Sequence, residues 1–117
     1  MKLSEVAVFT EAVDETVAFY ERLLGSAPAQ RADGFALFKA DGFHVVVHCK
    51  YVAQKDDPPG ESHVGFSVAN LDASISALRS AGYQIEFPPR NYPWGQSAYL
   101  RDPAGNLVQL SEDTAAN

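Results

Sequence analysis

The chain has 117 residues, 46% hydrophobic and 21% charged, with nine Lys and Arg against fifteen Asp and Glu for a net charge of -6. That length suits one globular domain with a real core and excludes a disordered polymer. The acidic balance, without any Lys/Arg cluster, argues against nucleic acid and anionic membrane surfaces as partners. Its single cysteine rules out an internal disulfide, and no apolar run reaches the ~20 residues that cross a bilayer. Met1 to Glu5 meets an acid before any apolar stretch could act as a secretory signal, so a cytoplasmic protein is expected.

In chain order, Ser4 to Phe9 reads as a strand and Asp14 to Leu24 as an amphipathic helix. Asp14 is the expected N-cap, Val17, Tyr20, Leu23 and Leu24 form the apolar stripe, and Gly25 supplies the stop. Phe35 to Phe38 and Phe43 to Cys49 are strands around an Asp41-Gly42 turn. Gln54 to Ser62 is polar and proline-rich, and reads as a linker.

His63 to Val68 alternates, with Val64, Phe66 and Val68 on one face and His63, Gly65 and Ser67 on the other. Asp72 is the expected cap of a second helix to Ala81, with Ile75, Leu78 and Ala81 as its stripe and Gly82 as its stop. Strands follow near Gln84–Phe87, Ser97–Arg101 and Asn106–Ser111, the last two joined by the turn Asp102-Pro103-Ala104-Gly105. Pro88 to Gly95 reads as a rigid aromatic loop, and Glu112 to Asn117 as a frayed tail.

The pattern is strand, helix, three strands, repeated. A slide of 58 residues lays Val64 over Val6, Asp72 over Asp14 and Ile75 over Val17. The expected fold is therefore α+β: two tandem βαβββ modules, about 1–52 and 63–117 around a linker of about 53–62, forming a cleft between curved mixed sheets within one domain.

His63-Val64-Gly65-Phe66-Ser67-Val68 with Leu71-Asp72, then Trp94-Gly95, Asp102 to Asn106 and Gln109-Leu110, resembles the vicinal oxygen chelate superfamily. This is the glyoxalase, bleomycin-resistance protein and extradiol dioxygenase group. Ala18-Phe19-Tyr20 through Leu24-Gly25 resembles its first-helix motif, so the likeness covers nearly the whole chain. The fold hosts lyases, isomerases, dioxygenases and metal-free binding proteins, so it does not fix the activity.

The resemblance implies metal ligands on the first and last strands of each module, usually His or Gln on the first and Glu on the last. Such an ion chelates two adjacent substrate oxygens and stabilises an enediolate or oxyanion. Carried onto this chain, the positions are His63, Glu5, Gln109 and Val46. Glu5 is not the usual residue, Gln109 lacks the acid's charge, and Val46 cannot coordinate. A shifted register would instead bring His48 in, making Glu5, His48 and His63 a two-histidine, one-carboxylate set. The plain alternatives are a hydrogen-bonded strand histidine at His48, a paired or solvated Glu5, and a cleft-lining amide at Gln109.

In the aromatic loop, Trp94 would stack on a planar ligand and Arg90 would meet an anionic group, unless Trp94 packs under the loop or against a second subunit. By alternation Phe9, Tyr99 and Arg101 also face the cleft. The expected function is metal-independent sequestration of an aromatic or oxygen-rich small molecule, in contact with Phe9, His48, Arg90, Trp94 and Tyr99. No cofactor is expected. The alternative is a lyase, isomerase or dioxygenase holding Zn, Mn, Ni or Fe with Glu5, His63 and Gln109, with or without His48. The resemblance further implies a homodimer, for which Phe43, Val45, Val47 and Tyr51 offer apolar area.

Overall fold

The computed structural model describes residues 1–113 of the chain. Its elements are β1 (Lys2–Thr10), α1 (Val13–Leu24), β2 (Gln30–Ala32), β3 (Phe35–Ala40), β4 (Phe43–Cys49), β5 (His63–Val68), α2 (Leu71–Ser80), β6 (Ile85–Tyr92), β7 (Gly95–Arg101) and β8 (Leu107–Glu112). The order is βαβββ twice over, as the repeat predicts. Two compact units result. One is Ser4–Ser62, called the first module below; the other is the chain from His63 onward together with Met1–Leu3, the second module.

In the first module β3 runs antiparallel to both β2 and β4, and β1 lies parallel to β4 with Glu5 opposite His44 and Ala7 opposite Val46. One face of this sheet carries the core: Val17 of α1 meets Ala36, Phe38, Val45 and Val47, flanked by Val6, Val13, Tyr20, Leu24 and Phe43. Phe38 and Val47 are fully buried, and burial of such side chains stabilises by ~1.5–3 kcal/mol each. Val45 and Val47 are thus interior residues, and they are not the partner-covering surface expected for them. Their alternation places them under α1, which the strand pattern alone does not reveal.

The second module repeats the arrangement. β5 pairs parallel with β8, β8 antiparallel with β7, and β7 with β6 through two register shifts. Leu71 and Ile75 of α2 pack on Val68, Ala98, Leu100 and Leu110.

Several local readings are corrected. The cap of α1 is Ala12, without a side-chain bond, so the helix begins at Val13. Asp14 instead turns its carboxylate to Arg31, 2.5 Å away. The cap of α2 is Asn70, whose side chain accepts from the Ala73 N–H, and Asp72 lies in the first turn. At α2 Asn70 takes the first-turn Ala73 N–H. At α1 the Thr16 N–H already bonds to the Ala12 carbonyl, so the helix is under way before Asp14, and Thr10 Oγ1 accepts from the Ala12 N–H ahead of it. Leu23 is 63% exposed, and Ala81 is also exposed; both lie off the buried stripes.

Pro88 to Tyr92 belong to β6 and are not a loop. Prolines are tolerated there because β6 lies at a sheet edge and its pairing is irregular. β2, a three-residue strand with every residue exposed, has no apolar signal and is invisible to periodicity.

Residues 53–62, expected as a linker, close onto the first module. The Tyr51 hydroxyl donates to the Pro58 carbonyl, the Phe9 N–H donates to Ser62 Oγ, and a Cβ on Gly60 would stand 2.9 Å from the Tyr51 carbonyl. Only glycine fits that approach. Of the expected tail, Glu112 ends β8 and its carboxylate accepts from the Leu71 N–H at the start of α2; residues 114–117 lie outside the described residues. Among the described residues, no helix is long and apolar enough to cross a membrane.

Candidate functional site

Because strand side chains alternate, each sheet has a face turned away from its helix. In the second module that face carries the polar residues. His63, Gly65 and Ser67 come from β5, Gln109 and Ser111 from β8, and Ser97 and Tyr99 from β7, with Gly65 opposite Gln109 and Gln109 opposite Tyr99.

Gln109, 5% exposed, is the hub. Its Nε2 donates to Ser97 Oγ at 3.2 Å and to Ser111 Oγ at 3.1 Å, while its Oε1 faces His63 Nε2 at 3.1 Å. This orientation gives both amide protons a partner. The reverse would turn one proton to His63 and leave the other buried and unpaired, at a cost of ~1–3 kcal/mol. The amide oxygen therefore accepts, and His63 Nε2 carries the donating proton.

Trp94 joins the same network by donating from Nε1 to Ser97 Oγ at 3.0 Å. Its ring stacks on Tyr92, with centroids 4.8 Å apart and planes within 5°. The Tyr99 ring meets His63, Phe87 and Tyr92 edge-on at 5.6, 6.0 and 6.1 Å. Burial raises the Tyr92 phenol above its ordinary pKa, opposed by the charge of Arg90. The result is an aromatic wall of Phe87, Tyr92, Trp94 and Tyr99 beside a fixed imidazole–amide pair. Trp94 remains 52% exposed.

The first module has a different arrangement on its corresponding face. His48 Nδ1 donates to the Cys49 carbonyl at 2.7 Å. The imidazole sits among Phe9 at 5.2 Å, Tyr51 at 5.5 Å and Phe35 at 6.0 Å. Val46 lies between Ala7 and Leu37 in register.

Of the residues singled out by sequence, the structure brings His63 together with Gln109 and Tyr99, ties Trp94 to them through Ser97, and sets Phe9 beside His48. Arg90 stands on β6 opposite Ser97. Glu5 is on β1 opposite His44. Arg101 is engaged with Glu86 at 2.7 Å and with the Gly105 carbonyl. The residues that sequence reasoning missed are Ser97, Ser111, Tyr92 and Phe87 here, and Phe35 and Tyr51 around His48. Parity was the available signal for the serines, since Ser97 is two before Tyr99 and Ser111 two after Gln109.

His63 and Gln109 supply two donors whose facing atoms have the ~3 Å separation of neighbouring ligands on one ion with bonds of about 2.1 Å. Both donors are neutral, however. Among the described residues no group of three His, Cys, Asp or Glu gathers as a metal site. The fit to a resident divalent ion is incomplete, because two uncharged donors leave its charge uncompensated.

The family model of the Glyoxalase/Bleomycin resistance protein/Dioxygenase superfamily matches residues 2–110. Over 110 residues the chain is 29% identical to the metallothiol transferase FosB of Shouchella clausii (strain KSM-K16), covering 89% of this chain and 75% of that one. Among solved structures, a methylmalonyl-CoA epimerase from Mycobacterium tuberculosis superposes with a TM-score of 0.70 at 20% identity, covering 99% of this chain and 92% of that one. A superfamily member from Vibrio splendidus 12B01 gives a TM-score of 0.71 at 14% identity, covering 92% and 96%. At such identities the superpositions speak for the fold alone.

Proposed function

The chain belongs to the Glyoxalase/Bleomycin resistance protein/Dioxygenase superfamily, and from that premise we propose that it binds a small planar or oxygen-rich molecule on the aromatic face of its second module without needing a metal. The observation that carries this reading is the commitment of Gln109. Where the resemblance implies a carboxylate ligand, the chain has an uncharged amide that already makes three hydrogen bonds, to Ser97, Ser111 and His63. In this reading the Tyr92–Trp94 stack and the Tyr99 edge supply apolar area and ring contact, and His63 orients the ligand. Arg90, Phe9 and His48 are further contacts in the proposal, and a homodimer is its expected assembly.

A second reading is favoured by the 3.1 Å spacing of His63 Nε2 and Gln109 Oε1 and by the likeness to a protein named as a metallothiol transferase. In it the chain is a metal-dependent enzyme using His63 and Gln109 with Glu5, with or without His48. A bound ion would polarise a substrate oxygen, and it would have to displace the proton now lying between imidazole and amide.

Metal analysis of tag-free protein separates the two. The first reading expects no stoichiometric Zn, Mn, Ni or Fe and no rise in melting temperature with any of them. Stoichiometric metal that is lost in His63→Ala would replace it with the second. A thermal-shift screen of aromatic antibiotics and metabolites should find stabilising compounds whose effect falls in Trp94→Ala. A screen in which none stabilises would refute ring-mediated binding.

A further inference from the structure

The serine row beneath Trp94 has one proton more than it can place. Ser97 Oγ accepts from Trp94 Nε1 and from Gln109 Nε2, which occupies both of its lone pairs. Its own proton must then go to Ser111 Oγ, 2.8 Å away. Ser111 Oγ receives that proton and the second amide proton of Gln109, so it too is saturated as an acceptor. The Ser111 hydroxyl proton is left pointing out of the network.

The next hydroxyl along the row has the matching property. Ser67 stands opposite Ser111 in the β5–β8 register, on the same face of the sheet. It is 8% exposed, and its Oγ is buried without a hydrogen-bond partner among the described residues. A buried hydroxyl left unpaired costs ~1–3 kcal/mol, so it marks a place where a hydrogen-bonding partner belongs, and its proton has no acceptor. Two neighbouring hydroxyls on adjacent strands thus share one unmet need.

We propose that Ser67 and Ser111 form a donor subsite for an acceptor oxygen of the ligand, and that the ligand class is a planar molecule bearing a carboxylate. The inference rests on the binding role proposed for this face and adds the chemistry of the ligand to it. A carboxylate oxygen accepts from both hydroxyls at once, while a protonated amine in the same place would find no free lone pair on Ser111 Oγ and only Ser67 Oγ able to accept. The direction of the bonds at Ser97 and Ser111 follows from the Gln109 orientation, so the preference at Ser111 is for an acceptor and not merely for polarity. It also runs against the overall charge of -6, which by itself would draw a cation.

The test uses benzoate, benzylamine and benzyl alcohol, which share one ring and differ in the polar group. Binding is read by quenching of Trp94, the single tryptophan of the chain, and by thermal shift. Benzoate should bind roughly tenfold more tightly than benzylamine, as expected for hydrogen bonds to a charged acceptor. Ser111→Ala and Ser67→Ala should each remove about that factor, and Ser111→Thr, which keeps a hydroxyl, should retain it. Circular dichroism of each variant distinguishes lost binding from lost folding, and Ser111→Thr carries the comparison if the alanine variants do not fold. The subsite is refuted if all three probes bind alike, or if the alanine variants keep wild-type affinity for benzoate, which would assign the spare protons to internal water; the ring-binding role would then stand alone. Absence of binding by all three would overturn both.

Discussion

Val46 and Gln109 occupy corresponding places in the two modules. Each lies four residues beyond a left-handed glycine, Gly42 or Gly105, on a strand paired on both sides, and on the face away from its helix. Val46 is flanked in register by Ala7 and Leu37, and Gln109 by Gly65 and Tyr99. One backbone plan therefore supports an apolar position at this place in one module and the hub of a directed hydrogen-bond network in the other. The difference lies in a few side chains on the face away from each helix, while the elements and their pairing repeat. Chemistry in this chain is set by strand parity on a duplicated scaffold.

The comparison can be broken in graded ways. The largest expected effect belongs to the shared layer, the helix-facing cores. Phe38→Ala should cost about 3–5 kcal/mol in urea unfolding, since Phe38 is fully buried; a cost below about 1 kcal/mol would mean that the first module's core is not centred there. Reciprocal exchange of the hubs comes next. Gln109→Leu should cost about 2–3 kcal/mol, because it strips partners from His63 and Ser111 at once. Val46→Gln should cost only about 1 kcal/mol at its half-buried site. Equal costs would show that the network does not distinguish the modules.

The helix starts supply a smaller contrast. Asn70→Ala should lower stability by about 1 kcal/mol through its lost cap bond. Asp14→Ala should cost less than about 0.5 kcal/mol, because its partner Arg31 and its own side chain are 37% and 85% exposed. The smallest effect concerns the turn before β8. Bonds from the Asn106 side chain and backbone hold the Asp102 carboxyl below its ordinary pKa. A depressed carboxyl stabilises the fold above its unfolded pKa, and that contribution fades as pH falls through the folded value. Asp102→Asn should therefore flatten the acid limb of the melting-temperature profile slightly and leave the neutral region nearly unchanged.

The duplicated βαβββ order was legible because strand alternation, glycine stops and helical stripes are local signals. Each cap was misplaced by two residues, because Asn70 caps α2 ahead of Asp72 and α1 starts from Ala12 without any side-chain cap to announce it. The strand character of Pro88 to Tyr92 was hidden by prolines that an irregular edge can accept. At the site, His63, Gln109, Tyr99 and Trp94 could be named from the resemblance and from parity. Their joining through Ser97 and Ser111 could not, since it depends on β7 and β8 pairing in one particular register. A serine carries no hydropathy signal that would announce it.

β2 and β6, each at an edge of its module's sheet, share a further property. β2 is three residues long, and Arg31 folds its guanidinium back onto the Ala32 and Phe35 carbonyls at 2.6 and 2.9 Å. β6 carries Pro88 and Pro89 and pairs irregularly. Neither offers a long row of open peptide groups on which another chain could lay a strand. Concentrated solutions of the folded protein should accordingly resist growth into fibrils from these margins.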